Sequence, residues 1–262
     1  MKYLFEEIGE VRKKVQQADK IFLFLDYDGT LVPIKPRPEL AVFTLSTKKL
    51  IKKLWGCPKI YLAIVTGRTL KEIKKLIDIN GIAYVGNHGF EIEYEKKCWI
   101  HPVSVQISPT IRKIISNIKD YTKGIYGVLI EDKGLIVSIH YRLATDKSAR
   151  EIKKIVYKVI SPYNEMFCVG SGKKVYEIRP CVDWHKGKAI LKVSRLLGIT
   201  ENSLKIYIGD DLTDEDAFEV LGEKDISVVV GHKESSRAQY FCKNSGEVEE
   251  FLETVCEITK NG

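Results

Sequence analysis

Four short stretches hold the residues whose types and spacing suit chemistry. Leu25-Asp26-Tyr27-Asp28-Gly29-Thr30-Leu31 places two carboxylates at i and i+2. Two such carboxylates can take separate roles, in which one attacks or binds metal while the other moves protons. Gly29 lets the chain turn sharply beside them, although a surface Asp-Gly turn is the plain structural alternative. Val65-Thr66-Gly67-Arg68 offers a hydroxyl and backbone N–H groups that suit a phosphate oxygen. Taken alone, Thr66 reads better as a helix N-cap. Asp183-Trp184-His185-Lys186-Gly187-Lys188-Ala189 brings a lysine able to neutralise phosphate charge in a transition state, a weak signal by itself in so lysine-rich a chain. Gly209-Asp210-Asp211-Leu212-Thr213-Asp214-Glu215-Asp216-Ala217-Phe218 packs five acidic residues behind one apolar run. That density repels itself unless a cation sits there, and oxygen ligands without His or Cys indicate magnesium rather than zinc. A helix dipole accounts for Glu215 and Asp216 in a first turn; it does not account for Asp210.

The elements that must position these groups alternate in type. Ile21–Leu25 reads as a buried strand, Leu45–Leu54 as a helix, Ile60–Val65 as a strand, Leu70–Ile77 as a helix and Ile82–Val85 as a strand. The rhythm returns with a helix over Gly187–Leu197, stopped by Gly198, a strand over Lys205–Ile208, a helix over Asp214–Leu221 and a strand over Ile226–Val230. Repeated βα units imply a parallel sheet with helices on both faces. In such sheets ligands bind beyond the carboxyl ends of the strands, so Asp26, Thr66 and Asp210 gather at one edge, with Lys186 opening a helix of the same domain. The stretch between differs: Gly134–His140 and Val175–Arg179 alternate inward and outward residues, and helices are expected at 109–119 and 146–160. The reading is an α/β, Rossmann-like parallel-sheet core formed by residues 1–103 and 183–262, with an inserted α+β module at 104–182.

Bulk properties narrow the function classes. The chain has 262 residues, 44% hydrophobic and 29% charged, with a net charge of +7, an ordinary composition for a globular protein. The lysines lie in helically spaced stretches such as 48–53, 71–75 and 153–158, as solvated helix faces do, so nucleic acid is discounted as a partner. Six cysteines include no CxxC pair and have no His cluster beside them, which argues against zinc and for free thiols in a reducing cytoplasm. The N-terminal stretch is too charged for a signal sequence; its Leu4, Ile8, Val11 and Val15 make one face of an amphipathic helix. The run IFLFL at 21–25 is too short to span a bilayer. A cytoplasmic monomer that takes a small anionic substrate is expected.

In this order, DYDGTL, VTGR, HKGKA and GDDLTDEDAF resemble the four motifs of the haloacid dehalogenase superfamily of phosphatases. GNHG at 86–89, EDKG at 131–134, HYR at 140–142 and GSGKKVYEIRP at 170–180 extend the likeness, over nearly the whole chain, to the trehalose-6-phosphate phosphatase family. The resemblance implies hydrolysis of trehalose 6-phosphate through an aspartyl-phosphate. Asp26 would be the nucleophile and Asp28 the acid and base. Thr66 would hold the phosphate with Gly67 and Arg68, and Lys186 would steady phosphate and nucleophile. Mg2+ would be bound by Asp26, the backbone carbonyl of Asp28 and Asp210, with Asp214 helping directly or through water and Asp211 a further helper. The inserted module resembles the family's cap, closing over the sugar and excluding water, with Glu131, Lys133, Arg142 and Glu177 as sugar contacts. A cross-strand ion pair is an equal reading for Arg142 and Glu177, and a structural role competes with substrate contact for His88. A phosphatase for another sugar or glycerate phosphate, a phosphomutase and a catalytically silent regulatory domain remain open alternatives at this stage.

Overall fold

The computed structural model describes residues 1–260 apart from Pro36, Lys173 and Glu201; Lys173 of the 170–180 run thus lies outside the described residues. The elements in chain order are β1 (Lys2–Tyr3), α1 (Ile8–Gln17), β2 (Lys20–Asp26), α2 (Leu45–Trp55), β3 (Ile60–Val65), α3 (Leu70–Ile77), β4 (Ala83–Gly86), β5 (Glu91–Tyr94) and β6 (Lys97–Ile100). There follow α4 (Val103–Thr122), β7 (Leu129–Asp132), β8 (Val137–His140), α5 (Asp146–Ile160), β9 (Phe167–Gly172) and β10 (Val175–Pro180). The chain ends with α6 (Lys186–Leu196), β11 (Ser203–Gly209), α7 (Leu212–Glu219), β12 (Ile226–Val230), β13 (Tyr240–Cys242) and α8 (Ser245–Lys260). They form two compact units. One comprises Met1–Trp99 with Trp184–Gly262; the other is the intervening Ile100–Asp183.

The first unit is built on one sheet in the order β1-β13-β12-β11-β2-β3-β4-β5-β6. Its strands run parallel from β1 to β4, and β5 turns back antiparallel to β4. The apolar run in β2 is explained by its central place, since Ile21–Leu25 are fully buried and a strand covered on both faces needs no polar alternation. Its side chains still divide by parity. Ile21, Leu23 and Leu25 join a core with Val11 and Val15 of α1, Leu50 and Leu54 of α2, Ile73 and Ile77 of α3, and Phe251 and Val255 of α8. Phe22 and Phe24 join a second core with Ile190 and Val193 of α6 and Phe218 of α7. Helices therefore cover both faces, as the alternating rhythm requires.

The inserted unit carries an antiparallel sheet in the order β7-β8-β10-β9. Alternation sorts its faces. Val137, Ile139, Tyr176 and Ile178 are buried, as are Ile111, Ile114 and Ile118 of α4 and Ile152 and Val156 of α5. Glu131, Ser138 and Glu177 occupy the opposite parity and lie side by side in register.

Several expectations change in detail. The strand expected over Gly134–His140 begins at Val137; Gly134 has φ +77° in the preceding turn, where Lys133 N donates to Ile136 O. α4 is longer than residues 109–119. Two of the thiols expected to be free, Cys168 and Cys181, are joined in a disulfide. The β9–β10 ladder brings them together, because Cys181 follows β10 directly and its N–H donates to Met166 O; linear spacing carries no sign of this. Cys57, Cys98, Cys242 and Cys256 are free. Among the described residues, no helix is long and apolar enough to cross a membrane.

Candidate active site

Three adjacent parallel strands bring the motifs together. In register, Asp26 of β2 lies opposite Val65 of β3 and Leu25 opposite Ile208 of β11. The residues just past these pairs, Thr66 and Asp210, therefore reach the same sheet edge as Asp26. Lys186, the first residue of α6, reaches it from the second face. Asp26, Thr66, Lys186, Asp210 and Asp214 are all buried.

A charged network joins them. The ammonium of Lys186 donates to Asp26 Oδ1 at 2.8 Å and to Asp214 Oδ1 at 2.7 Å. Asp214 Oδ1 also accepts from the Tyr207 hydroxyl at 2.5 Å. Its Oδ2 accepts from the backbone N–H of Asp210 at 3.0 Å and of Asp211 at 2.9 Å. A carboxylate offers about four lone-pair sites, so these four donors saturate Asp214. Burial opposes its charge, but Lys186, Tyr207 and the backbone donors outweigh burial and hold Asp214 below the ordinary carboxylate range. Burial likewise opposes the Lys186 ammonium, yet Asp214 and Asp26 hold it well above the ordinary lysine range. Asp26 moves the other way. Its burial outweighs Lys186, with Asp214 and Asp210 adding repulsion, and pushes its carboxyl well above the ordinary range.

This arrangement fits a hard divalent cation. One ligand atom each from Asp26, Asp210 and Asp214 lies within 4.8 Å of the others, an oxygen-only donor set of the kind Mg2+ prefers. Gly29 keeps the cradle open: at φ +90° it is in the left-handed region, and a Cβ there would fall into the Asp210 carboxylate.

Asp28 is half-exposed at the mouth of the site and is held by Arg68 in a fork, Nε to Oδ2 and Nη2 to Oδ1, both 2.6 Å. Bidentate geometry fixes a carboxylate in orientation as well as in place. Arg68 Nη2 also donates to Pro38 O at 2.8 Å, and its guanidinium stacks over Tyr27 at 5.1 Å. The structure thus places Arg68 on Asp28.

The loop after β3 is supported from behind. Thr66 is not the N-cap of α3; that role falls to Thr69, which forms a capping box with Glu72. The Thr66 hydroxyl accepts from Arg68 N at 3.2 Å. In the GNHG stretch, Asn87, His88 and Gly89 all have positive φ, 48°, 54° and 102°. This bend lets Asn87 N donate to Arg68 O at 2.7 Å and His88 N to Thr66 O at 3.0 Å. The His88 ring packs on Gly67, where a Cβ would come within 2.6 Å of Nε2. His88 therefore braces the Thr66–Gly67 turn, and runs of left-handed non-glycine residues are a recurrent mark of functional sites.

The charged residues expected in the inserted unit also meet. Lys133 Nζ is 3.3 Å from Glu177 Oε1 and 3.8 Å from Glu131 Oε2. Ser138 donates to Glu177 at 2.9 Å, and His140 Nε2 lies 2.9 Å from Glu131 Oε2. His140 joins a cluster that sequence reading had limited to Glu131, Lys133, Arg142 and Glu177; its alternation with Ser138 was the available signal. Arg142 is exposed in the turn after β8. In the first unit, Tyr207 and Lys233 were overlooked. Tyr207 passes for a core residue in a buried strand. Lys233 comes from the β12–β13 loop and donates to the Asp210 backbone carbonyl, a contact without a linear signal.

The family model described as trehalose-phosphatase matches residues 24–246. Trehalose-phosphate phosphatase B of Arabidopsis thaliana is 33% identical over 270 residues, covering 97% of this chain and 70% of that protein. A crystal structure of a trehalose-6-phosphate phosphatase related protein superposes with a TM-score of 0.80 at 25% identity, covering 92% of this chain and 99% of the other. A haloacid dehalogenase-like hydrolase from Bacteroides thetaiotaomicron shares the fold, with a TM-score of 0.64 at 15% identity over 90% of this chain and 99% of that one.

Proposed function

The chain belongs to the trehalose-phosphatase family, and from that premise we propose that it hydrolyses trehalose 6-phosphate to trehalose and phosphate through an aspartyl-phosphate on Asp26. The observation that carries the chemistry is the buried network in which one lysine, Lys186, ties the Asp26 nucleophile to a saturated Asp214. Asp26 attacks phosphorus as the bond to the sugar oxygen breaks, and Asp28 gives that oxygen its proton. Asp28 then takes a proton from the water that attacks the aspartyl-phosphate, releasing phosphate and restoring Asp26. Thr66 and the backbone at Gly67 hold the phosphoryl oxygens, and Lys186 offsets their charge. Arg68 orients Asp28 for both proton transfers.

Asp26, Asp210 and the backbone carbonyl of Asp28 would hold Mg2+. When bound, the ion would neutralise phosphoryl charge, and its positive charge would offset the desolvation that raises Asp26. With its oxygens filled by four donors, Asp214 organises Lys186 and the Asp210 backbone and reaches the ion at most through water. The polar face formed by Glu131, Lys133, His140 and Glu177 in the inserted unit takes the sugar hydroxyls. Polar partners discriminate hydroxylated substrates far better than an apolar pocket does.

Single-chain action in the cytoplasm completes the proposal. The free thiols suit a reducing compartment, and mass spectrometry after thiol trapping in a cell extract would tell whether Cys168 and Cys181 stay bonded there. The deciding experiment compares catalytic efficiency on trehalose 6-phosphate, glucose 6-phosphate and p-nitrophenyl phosphate. Strong preference for the disaccharide phosphate supports the reading. Equal rates on the two sugar phosphates would defeat the substrate assignment and leave phosphatase activity standing.

A further inference from the structure

We propose that Lys233 is a positioning residue for Asp210. The inference rests on the reading of Asp210 as a metal ligand. Lys233 lies in the loop between β12 and β13 and donates its ammonium to the backbone carbonyl of Asp210. On the other side of the same residue, Asp210 N donates to Asp214 Oδ2 at 3.0 Å. Both main-chain polar groups of residue 210 are thus gripped by charged side chains, and hydrogen bonds to charged partners are the stronger kind. With N–H and C=O both fixed, the direction in which the Asp210 carboxylate leaves the backbone is fixed too.

The loop that delivers Lys233 is itself anchored. Both oxygens of Glu215 in α7 hold it: Ser236 Oγ donates to Oε1 and Arg237 N to Oε2, each at 2.7 Å. Arg237 Nη1 adds a bond to Glu219 Oε2 at 2.8 Å. Gly231 N donates to Cys242 O at 2.7 Å at the loop's start, and Ser236 N to Lys233 O at 3.0 Å closes the turn. Glu215, one of the five clustered acids, therefore serves as a clamp for the loop. In effect α7 carries both arms of the grip, Asp214 directly and Lys233 through Glu215.

Two roles for Lys233 make opposite predictions. A bystander ammonium close to a cation site repels the cation, so its removal tightens metal binding. A positioning ammonium preorganises the ligand, so its removal weakens binding. The experiment measures Mg2+ affinity by calorimetry, and Mg2+-dependent melting temperature, for wild type, Lys233→Met, Glu215→Gln and Asp210→Asn. We expect about tenfold weaker Mg2+ binding in Lys233→Met, with kcat largely recovered at saturating Mg2+ and an unchanged KM for sugar phosphate. Glu215→Gln, which loosens the loop, moves in the same direction. Equal or tighter Mg2+ binding in Lys233→Met overturns the proposal, and wild-type affinity in Glu215→Gln overturns the part assigned to the loop. Asp210→Asn tests the underlying reading separately: if it binds Mg2+ as wild type does, the site assignment itself is wrong.

Discussion

Asp214→Asn separates an organising carboxylate from a metal ligand. The substitution keeps size and replaces one oxygen with an NH2 group, which donates. Whichever way the amide turns, it faces two existing donors: Lys186 Nζ and Tyr207 Oη on one side, or the N–H groups of Asp210 and Asp211 on the other. Asp214 is fully buried, so water cannot repair the mismatch. Removing one partner of a buried charge pair costs about 3–5 kcal/mol. For a chain of this size each kcal/mol lowers the melting temperature by roughly 2–4 °C, so a drop of roughly 6–20 °C is expected. The loss should appear with Mg2+ removed, because the network does not depend on the ion. The pH sign follows from the two partners. Asp214 is depressed when folded, so its contribution is present above the ordinary carboxylate range and fades as pH falls through its folded value. Lys186 is raised, so its contribution is complete below the ordinary lysine range and fades as pH rises through its folded value. Between those limits neither Asp214 nor Lys186 titrates, so neither gives the difference between wild type and variant a slope; any slope there belongs to Asp26, whose carboxyl Asp214 helps to raise. Urea denaturation of both metal-free proteins from pH 5 to 9, followed by circular dichroism, measures it. Equal denaturation midpoints would refute the saturated-network argument, and a deficit seen only with Mg2+ present would make Asp214 a direct ligand instead.

Asp26→Asn should all but abolish turnover on trehalose 6-phosphate while the fold survives; retained activity within about tenfold, or ~1.4 kcal/mol of barrier, excludes Asp26 as nucleophile. Because burial raises the Asp26 carboxyl, the folded protein binds that proton more tightly than the unfolded chain does. Metal-free wild type should therefore lose stability as pH rises above the ordinary carboxylate range, and Asp26→Asn should lack that slope in melting scans. EDTA should stop activity and Mg2+ restore it, with Ca2+ binding but supporting little turnover, since its looser coordination misplaces the reacting groups; full activity of the stripped enzyme rules the metal out. Glu131→Ala and Lys133→Ala should lose most activity on trehalose 6-phosphate and little on p-nitrophenyl phosphate. Lys133→Ala should be the more severe, because it strips the cation from both Glu131 and Glu177; equal losses on both substrates would assign these residues to folding.

The sheet centre was legible because buried parallel strands announce themselves as apolar runs. The limits of β3 and β12 were read to the residue, and the motif residues Asp26, Thr66 and Asp210 stand at or just past the ends of β2, β3 and β11. The margins were harder. β1 and β13 have two and three residues, too few for any periodicity, and are held by non-local pairing, β1 on β13 and β13 on β12. α8 could have been read, since Val248, Phe251, Leu252 and Val255 keep helical spacing. The same limit holds within the site. Residues that act from strand ends were visible, whereas the fork of Arg68 on Asp28 depends on where the loop to Pro38 runs. The grip of Lys233 depends on a contact across 23 residues, and linear spacing says nothing about either.

The sheet order has a consequence for how the chain is made. β2 pairs with β3 on one side and with β11 on the other, and β11 begins at Ser203, after the whole inserted unit. During synthesis, then, a strand with five consecutive fully buried apolar residues waits with one edge exposed while well over a hundred residues are added. An exposed apolar edge is a template for pairing with other chains, and late long-range pairing slows folding. A ribosome stalled before residue 203 would present a nascent chain prone to aggregate, and its yield should depend on chaperones far more than that of the finished protein.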